Sequence, residues 1–137
     1  MRTYSFGKND VNYVINKEKR VIVAYVDFLD DMFEHFLFEH NAPMPSKKIN
    51  LQMPHRMTGK AYCSEDDEWN EEIGKAIAFD RLKNKMGDSF FKRANLYYDT
   101  LSKELEKIAD ELDSYGESLS HCSEHRMNKI NDWLGEH

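Results

Sequence analysis

Leu101-Ser102-Lys103-Glu104-Leu105-Glu106-Lys107-Ile108-Ala109-Asp110-Glu111-Leu112-Asp113-Ser114-Tyr115-Gly116-Glu117-Ser118-Leu119 places an apolar residue at 101, 105, 108, 112, 115 and 119. That spacing is the seam of an amphipathic helix. It reaches back through Tyr97 and Ala94 to Phe90, with one stutter between Leu101 and Leu105. Over residues 88–115 the helix would be about 40 Å long. A small sheet cannot cover such a stripe, so the helix needs a partner: the helix before it, the C-terminal segment, or a second subunit. A homodimer through 88–119 is one expectation.

On either side the pattern stays helical. Trp69, Ile73, Ala76, Phe79, Leu82 and Met86 mark a helix over 65–86, with Ser64 and Asp67 as a capping-box-like start. Gly87 is expected to close it, and Asp88 or Ser89 to cap the next. Gly116 ends or kinks the long helix, and a last one carries Met127, Ile130, Trp133 and Leu134.

The N-terminal half reads as β. Val11-Asn12-Tyr13-Val14-Ile15 and Arg20-Val21-Ile22-Val23-Ala24-Tyr25-Val26 are β-branched and aromatic, joined by the polar turn Asn16-Lys17-Glu18-Lys19. The second strand is apolar on both faces, which predicts a central position. Asp27–His40 shows helical spacing, with Asp27 as N-cap, and Pro43-Met44-Pro45 stops it. Ile49, Leu51 and Met53 alternate as a strand, and Met57–Cys63 forms another. Gly59 and Ala61 share one face, so something bulky is expected to pack close there. The fold class is therefore α+β. A small antiparallel sheet of three to four strands with an inserted helix (1–63) precedes a helical half (64–137) dominated by the heptad helix. The whole is expected to form one domain.

Composition sets limits. The 137 residues carry 19 basic and 25 acidic side chains, net −6, with a mean hydropathy of −0.78. No apolar run reaches the ~20 residues of a membrane-spanning helix. The first eight residues have no apolar core, so a secretory signal is not expected. Two cysteines, Cys63 and Cys122, are too few for a disulfide scaffold, and a reduced, cytoplasmic protein is the expectation. The acidic balance disfavours direct nucleic-acid binding. Charge is segregated: residues 1–26 are net +3, 27–40 net −5, 41–63 net +4, 64–118 net −7 and 119–137 net −1. Such blocks fit two surfaces of opposite sign, or equally basic strands and loops bridged to acidic helices.

Three constellations could carry chemistry. His121-Cys122-Ser123-Glu124-His125 matches H-x-x-E-H, with Glu117, Glu136 or His137 as further candidate ligands; the plainer reading is an exposed helix start. The His35–Glu39 pair beside Glu34 and His40 is an ordinary i,i+4 contact. The densest acidic run is Glu65-Asp66-Asp67-Glu68-Trp69-Asn70-Glu71-Glu72, six acids in the nine residues from Ser64. A helix N-terminus accounts for about four of them, because the dipole effect fades within a turn; the excess points to a basic partner. The run lacks the alternating oxygens and central glycine of a calcium loop. Phosphate-cradling and nucleophile-elbow motifs are missing, and Cys63, at a strand end, is expected in the core. No catalytic residue, metal or cofactor is assigned.

At Gly59-Lys60-Ala61-Tyr62-Cys63, Asp67, Glu71-Glu72-Ile73-Gly74-Lys75-Ala76-Ile77-Ala78 and Arg81 the chain resembles a loose family of small phage and prophage proteins of Gram-positive bacteria. These read G-K-A-x-C, a short acidic turn, then an acidic helix start with G-K-x-x-A and a following Arg. The resemblance covers about residues 11–85 and leaves out the long helical extension. It implies a phage origin rather than an activity. By analogy with small acidic phage proteins that antagonise host defence, it suggests a CRISPR-effector inhibitor that occupies a nucleic-acid groove, or an oligomer that sequesters a signalling nucleotide, as Thoeris anti-defence proteins do.

The leading expectation is a non-enzymatic inhibitor that binds a basic host defence protein and competes with nucleic acid. Glu65, Asp66, Asp67, Glu68, Trp69, Glu71 and Glu72 form its first contact patch, and Glu104, Glu106, Asp110, Glu111 and Asp113 its second. One alternative is an oligomeric nucleotide binder using Lys60, Arg81, Lys92 or Arg93 near Phe79 or Tyr62. Another is a zinc hydrolase through His121 and His125.

Overall fold

The computed structural model describes residues 6–136, apart from the side chains of Lys8, residues 121–126 and Glu136. The chain is α+β. Strands β1 (Asn12–Asn16), β2 (Val21–Val26) and β3 (Met57–Tyr62) form the sheet; helix α1 (Met32–Glu39) lies between β2 and β3, and helix α2 (Glu71–Glu136) follows. Two compact units are present. One comprises Met1–Pro43 and Lys48–Tyr97, the other Met44–Lys47 and Tyr98–His137. We call them the sheet unit and the helical unit.

In the sheet unit the order is β1-β2-β3 and both pairings are antiparallel. β2 is central, as its two apolar faces predict. Tyr13, Ala24 and Gly59 stand in one row across the sheet, and Ile15, Ile22 and Ala61 in the next. Ile22, Ala24 and Ala61 are buried against the first turns of α2. A Cβ on Gly74 would lie 2.5 Å from Ile22 Cδ1, and one on Gly59 would meet the backbone of Ala78 and Leu82. The bulky neighbour expected at Gly59 is thus α2 itself. Ala78, Phe79, Leu82 and Met86 complete the helix side of the core.

α1 adds a second layer over the later turns. Phe33 is buried and sets its ring edge-on to Phe90 (4.9 Å) and Tyr97 (6.2 Å), while Phe36 meets Phe90 at 5.5 Å. The Tyr97 hydroxyl donates to the Pro43 carbonyl at 2.5 Å, so this buried phenol has the partner its burial requires.

Four local expectations are corrected. First, α1 starts at Met32 with Asp31 at its N-cap, not at Asp27. Phe28 has φ 64°, a left-handed backbone that a helix cannot pass through. Asp27 accepts a two-pronged bond from the Arg56 guanidinium instead, at 2.5 and 2.9 Å. Second, 46–56 contains no strand. The alternation is real, since Leu51 and Met53 are buried. However, the backbone is satisfied by single bonds: Met53 N–H to Asp30 O, Leu29 N–H to His55 O, and Arg93 Nε to Gln52 O. Pro54 removes a further donor a ladder would need.

Third, α2 begins at Glu71, not at Ser64. The side-chain oxygen of Asn70 caps it by accepting the Ile73 N–H at 3.1 Å. Fourth, neither Gly87 nor Gly116 interrupts α2. No described glycine takes a positive φ, the conformation that ends a helix at glycine. A helical glycine costs about 1 kcal/mol relative to alanine, and elsewhere in the sheet unit the buried face of α2 outweighs that.

In the helical unit, Met44–Lys47 is tied to α2 by Glu104, whose carboxylate accepts the N–H of Ser46 (2.9 Å) and of Lys47 (2.8 Å). These two bonds, Lys47 first, hold its pKa below the usual carboxylate range. Among the described residues no helix is long and apolar enough to cross a membrane.

Candidate partner-binding site

Arg20 ends the β1–β2 loop with φ 53° and pairs its carbonyl with the Cys63 N–H at 2.9 Å, just beyond β3. Its side chain turns onto the segment that follows. Nη2 donates to the carbonyls of Ser64 (2.9 Å) and Asp67, and lies 3.1 Å from Cys63 Sγ; Nε reaches the Cys63 carbonyl at 3.4 Å. Inside the segment, Ser64 accepts the Asp67 N–H through its carbonyl and the Asp66 N–H through its hydroxyl. The result is a hydrogen-bonded acidic turn over 64–67, outside the helix.

The orientation of Arg20 has an electrostatic consequence. Its guanidinium is spent on backbone carbonyls, not on carboxylates. Among the described residues, no ion pair involves Glu65, Asp66, Asp67 or Glu68, and all four are exposed. Glu71 stands 3.9 Å from Lys75, a weak exposed pair. Glu72 belongs to the first turn of α2 and lies near half-buried Tyr13, whose buried hydroxyl has no hydrogen-bond partner among the described residues. Burial first, and Glu72 second, push the Tyr13 pKa up.

Beside the turn lies a pocket of about 240 Å³. Ile22, Ala61, Ile73 and Ile77 supply apolar wall, Trp69 an aromatic one, and Cys63, Asp67, Glu68 and Asn70 the polar groups. The thiol lies 3.6, 4.0 and 3.7 Å from the carbonyls of Ser64, Asp67 and Glu68. A cavity with an aromatic wall and carboxylates among its lining suits a cation carried on an apolar stem, such as a lysine or arginine side chain. Sequence reasoning found the acids and Trp69 but missed the pocket and Arg20. The signal available for Arg20 was its place directly after the turn residues; Ile73 read simply as helix core.

The second acidic patch lies in the helical unit. Glu106, Asp110, Glu111 and Asp113 are exposed, whereas Glu104 is engaged with Ser46 and Lys47. Of the cations considered for phosphate, Arg81 donates to the Lys60 carbonyl at 2.6 Å, and Arg93 donates to Gln52 and Ser89. Phe79 is buried and Tyr62 exposed. His35 and Glu39 form the expected i,i+4 pair at 2.7 Å. The His121–His125 motif falls outside the described side chains. Among the described residues no cluster of three His, Cys, Asp or Glu could hold a metal. No protein-family model, curated protein or solved structure matches the chain.

Proposed function

We propose that this chain is a non-enzymatic inhibitor of the phage type. It docks a basic, nucleic-acid-handling host protein, such as a CRISPR effector, on the turn Glu65–Trp69 and competes there with nucleic acid in the bacterial cytoplasm. One observation carries the reading: four consecutive carboxylates have no ion-pair partner among the described residues, on a turn that Arg20 holds by its carbonyls. A preformed anionic turn loses little entropy on binding. It also steers a cationic surface at a rate that salt suppresses. Trp69 and the adjoining pocket supply the apolar anchor such an interface needs, receiving a lysine or arginine stem. Glu71 and Glu72 extend the charge into α2.

The test is affinity capture from a bacterial host lysate at low and high salt. It compares the native chain with the fourfold variant Glu65→Lys, Asp66→Lys, Asp67→Lys, Glu68→Lys. The turn is held by backbone carbonyls, so the variant should remain folded by circular dichroism. The expected result is a basic protein retained at low salt, released at high salt, displaced by nucleic acid and absent with the variant. Equal retention by both proteins overturns the proposal.

A further inference from the structure

From Leu105 to Leu119 the apolar seam of α2 has no cover among the described residues. Leu105, Ile108, Leu112, Tyr115 and Leu119 are each between 51% and 67% exposed. The other segment of the helical unit, Met44–Lys47, is four residues long and is anchored at Glu104. Met127, Ile130 and Leu134 are also half exposed or more, but eight residues beyond Leu119 they fall at b and e positions, off this seam. We propose that this seam is the interface of a parallel coiled coil between copies of this chain, an inference independent of what the acidic turn binds.

Three features favour a second copy as the occupant. First, the spacing 105-108-112-115-119 is an unbroken heptad, with Leu105, Leu112 and Leu119 at a and Ile108 and Tyr115 at d. A heptad stripe is complementary to itself. Second, at roughly 100 Å² apiece the five seam residues offer about 500 Å² per copy, or about 1,000 Å² between two copies, the size from which a specific interface begins. Third, the flanking charges choose an orientation. The g positions are Glu104, Glu111 and Ser118, and the e positions Ala109 and Gly116. In a parallel pair g faces e of the partner, so each glutamate meets a small neutral residue. A fully overlapped antiparallel pair sets g against g and brings Glu111 of both copies together. The remaining charges, Glu106, Lys107, Asp110, Asp113 and Glu117, occupy the outward positions b, c and f.

Sedimentation equilibrium of the full chain tests this. The expected mass is a multiple of 16.2 kDa that falls on dilution. Leu112→Lys should give a monomer, with the sheet unit still folded by near-ultraviolet circular dichroism. Asp110→Lys, at an outward f position, should leave the mass unchanged. Orientation follows from Ile108→Cys in a Cys63→Ser, Cys122→Ser background, which should cross-link on mild oxidation because equal d positions adjoin only in a parallel coil. A native chain that is monomeric at high micromolar concentration, or an assembly in which the introduced thiols do not cross-link, overturns the proposal.

Discussion

Gly59 of β3 lies directly under Leu82 of α2: a Cβ on the glycine would stand 2.9 Å from the Leu82 Cα and closer still to its amide nitrogen and to the Ala78 carbonyl. Every atom it would meet is helix backbone, which cannot rotate away as a side chain can. Gly59→Ala must therefore lift the helix from the sheet, at a cost of roughly 2–3 kcal/mol. Gly74→Ala offers a contrast. Its Cβ would meet only the tip of Ile22, at 2.5 Å, and a helical alanine returns about 1 kcal/mol. Urea unfolding should show a large loss for the first variant and a small change for the second. Equal midpoints would contradict the close approach.

Phe28 combines a left-handed backbone with an 84% exposed side chain. Its ring contacts the edge of His55 at 4.9 Å, which gains little in water. Phe28→Asn tolerates the same backbone at lower cost, so thermal unfolding should shift upward, by up to about 1 kcal/mol of stability. Phe38→Ala, at an equally exposed helical position, serves as the control and should be near neutral. A destabilised Phe28→Asn would mean that the ring does more than its exposure suggests.

Arg20 organises the acidic turn through four acceptors, three of them carbonyls. Arg20→Lys keeps the charge but loses the planar fork. Amide exchange across 64–69 should accelerate, and proteolysis should begin there, while the global unfolding midpoint moves little. Unchanged exchange would show that the turn holds its shape without the guanidinium.

Glu104 gives the helical unit a pH dependence of known sign. Its folded pKa is depressed by the Lys47 and Ser46 amides, so the contact adds stability above the ordinary carboxylate range. That contribution is lost as the pH falls through the depressed value. Amide resonances of Ser46 and Lys47 should hold steady from neutral pH down to the usual carboxylate range and move only below it. Glu104→Gln should abolish that acid transition and speed exchange at both amides. A transition that persists in Glu104→Gln would assign it to another group. Asp27 and Asp30 share the sign, depressed chiefly by hydrogen bonds from Arg56 and His55.

Much of the architecture was legible in linear order. Period-two runs at 11–15 and 20–26 became β1 and the central β2, and the period of 3.6 over 73–119 became α2, because side-chain direction repeats with the local backbone. The acids at 65–68 and their neighbour Trp69 were likewise visible by type. What stayed hidden depended on partners far along the chain. Residues 49–53 alternate like a strand, yet among the described residues no neighbouring strand offers them a ladder. Gly87 resembles a stop, yet a glycine ends a helix only when its φ turns positive.

Local pattern thus determined that β1, β2, β3 and the bodies of α1 and α2 form, which of their faces are apolar, and where negative charge accumulates, since each follows from residue type and spacing. The tertiary structure decided where α2 begins, that α2 is the neighbour of Gly59, and that Arg20 is spent on carbonyls, which leaves Glu65–Glu68 without an ion pair among the described residues. Those outcomes turn on the direction of one guanidinium and the approach of one helix backbone, distances set by residues tens of positions apart and by no local rule.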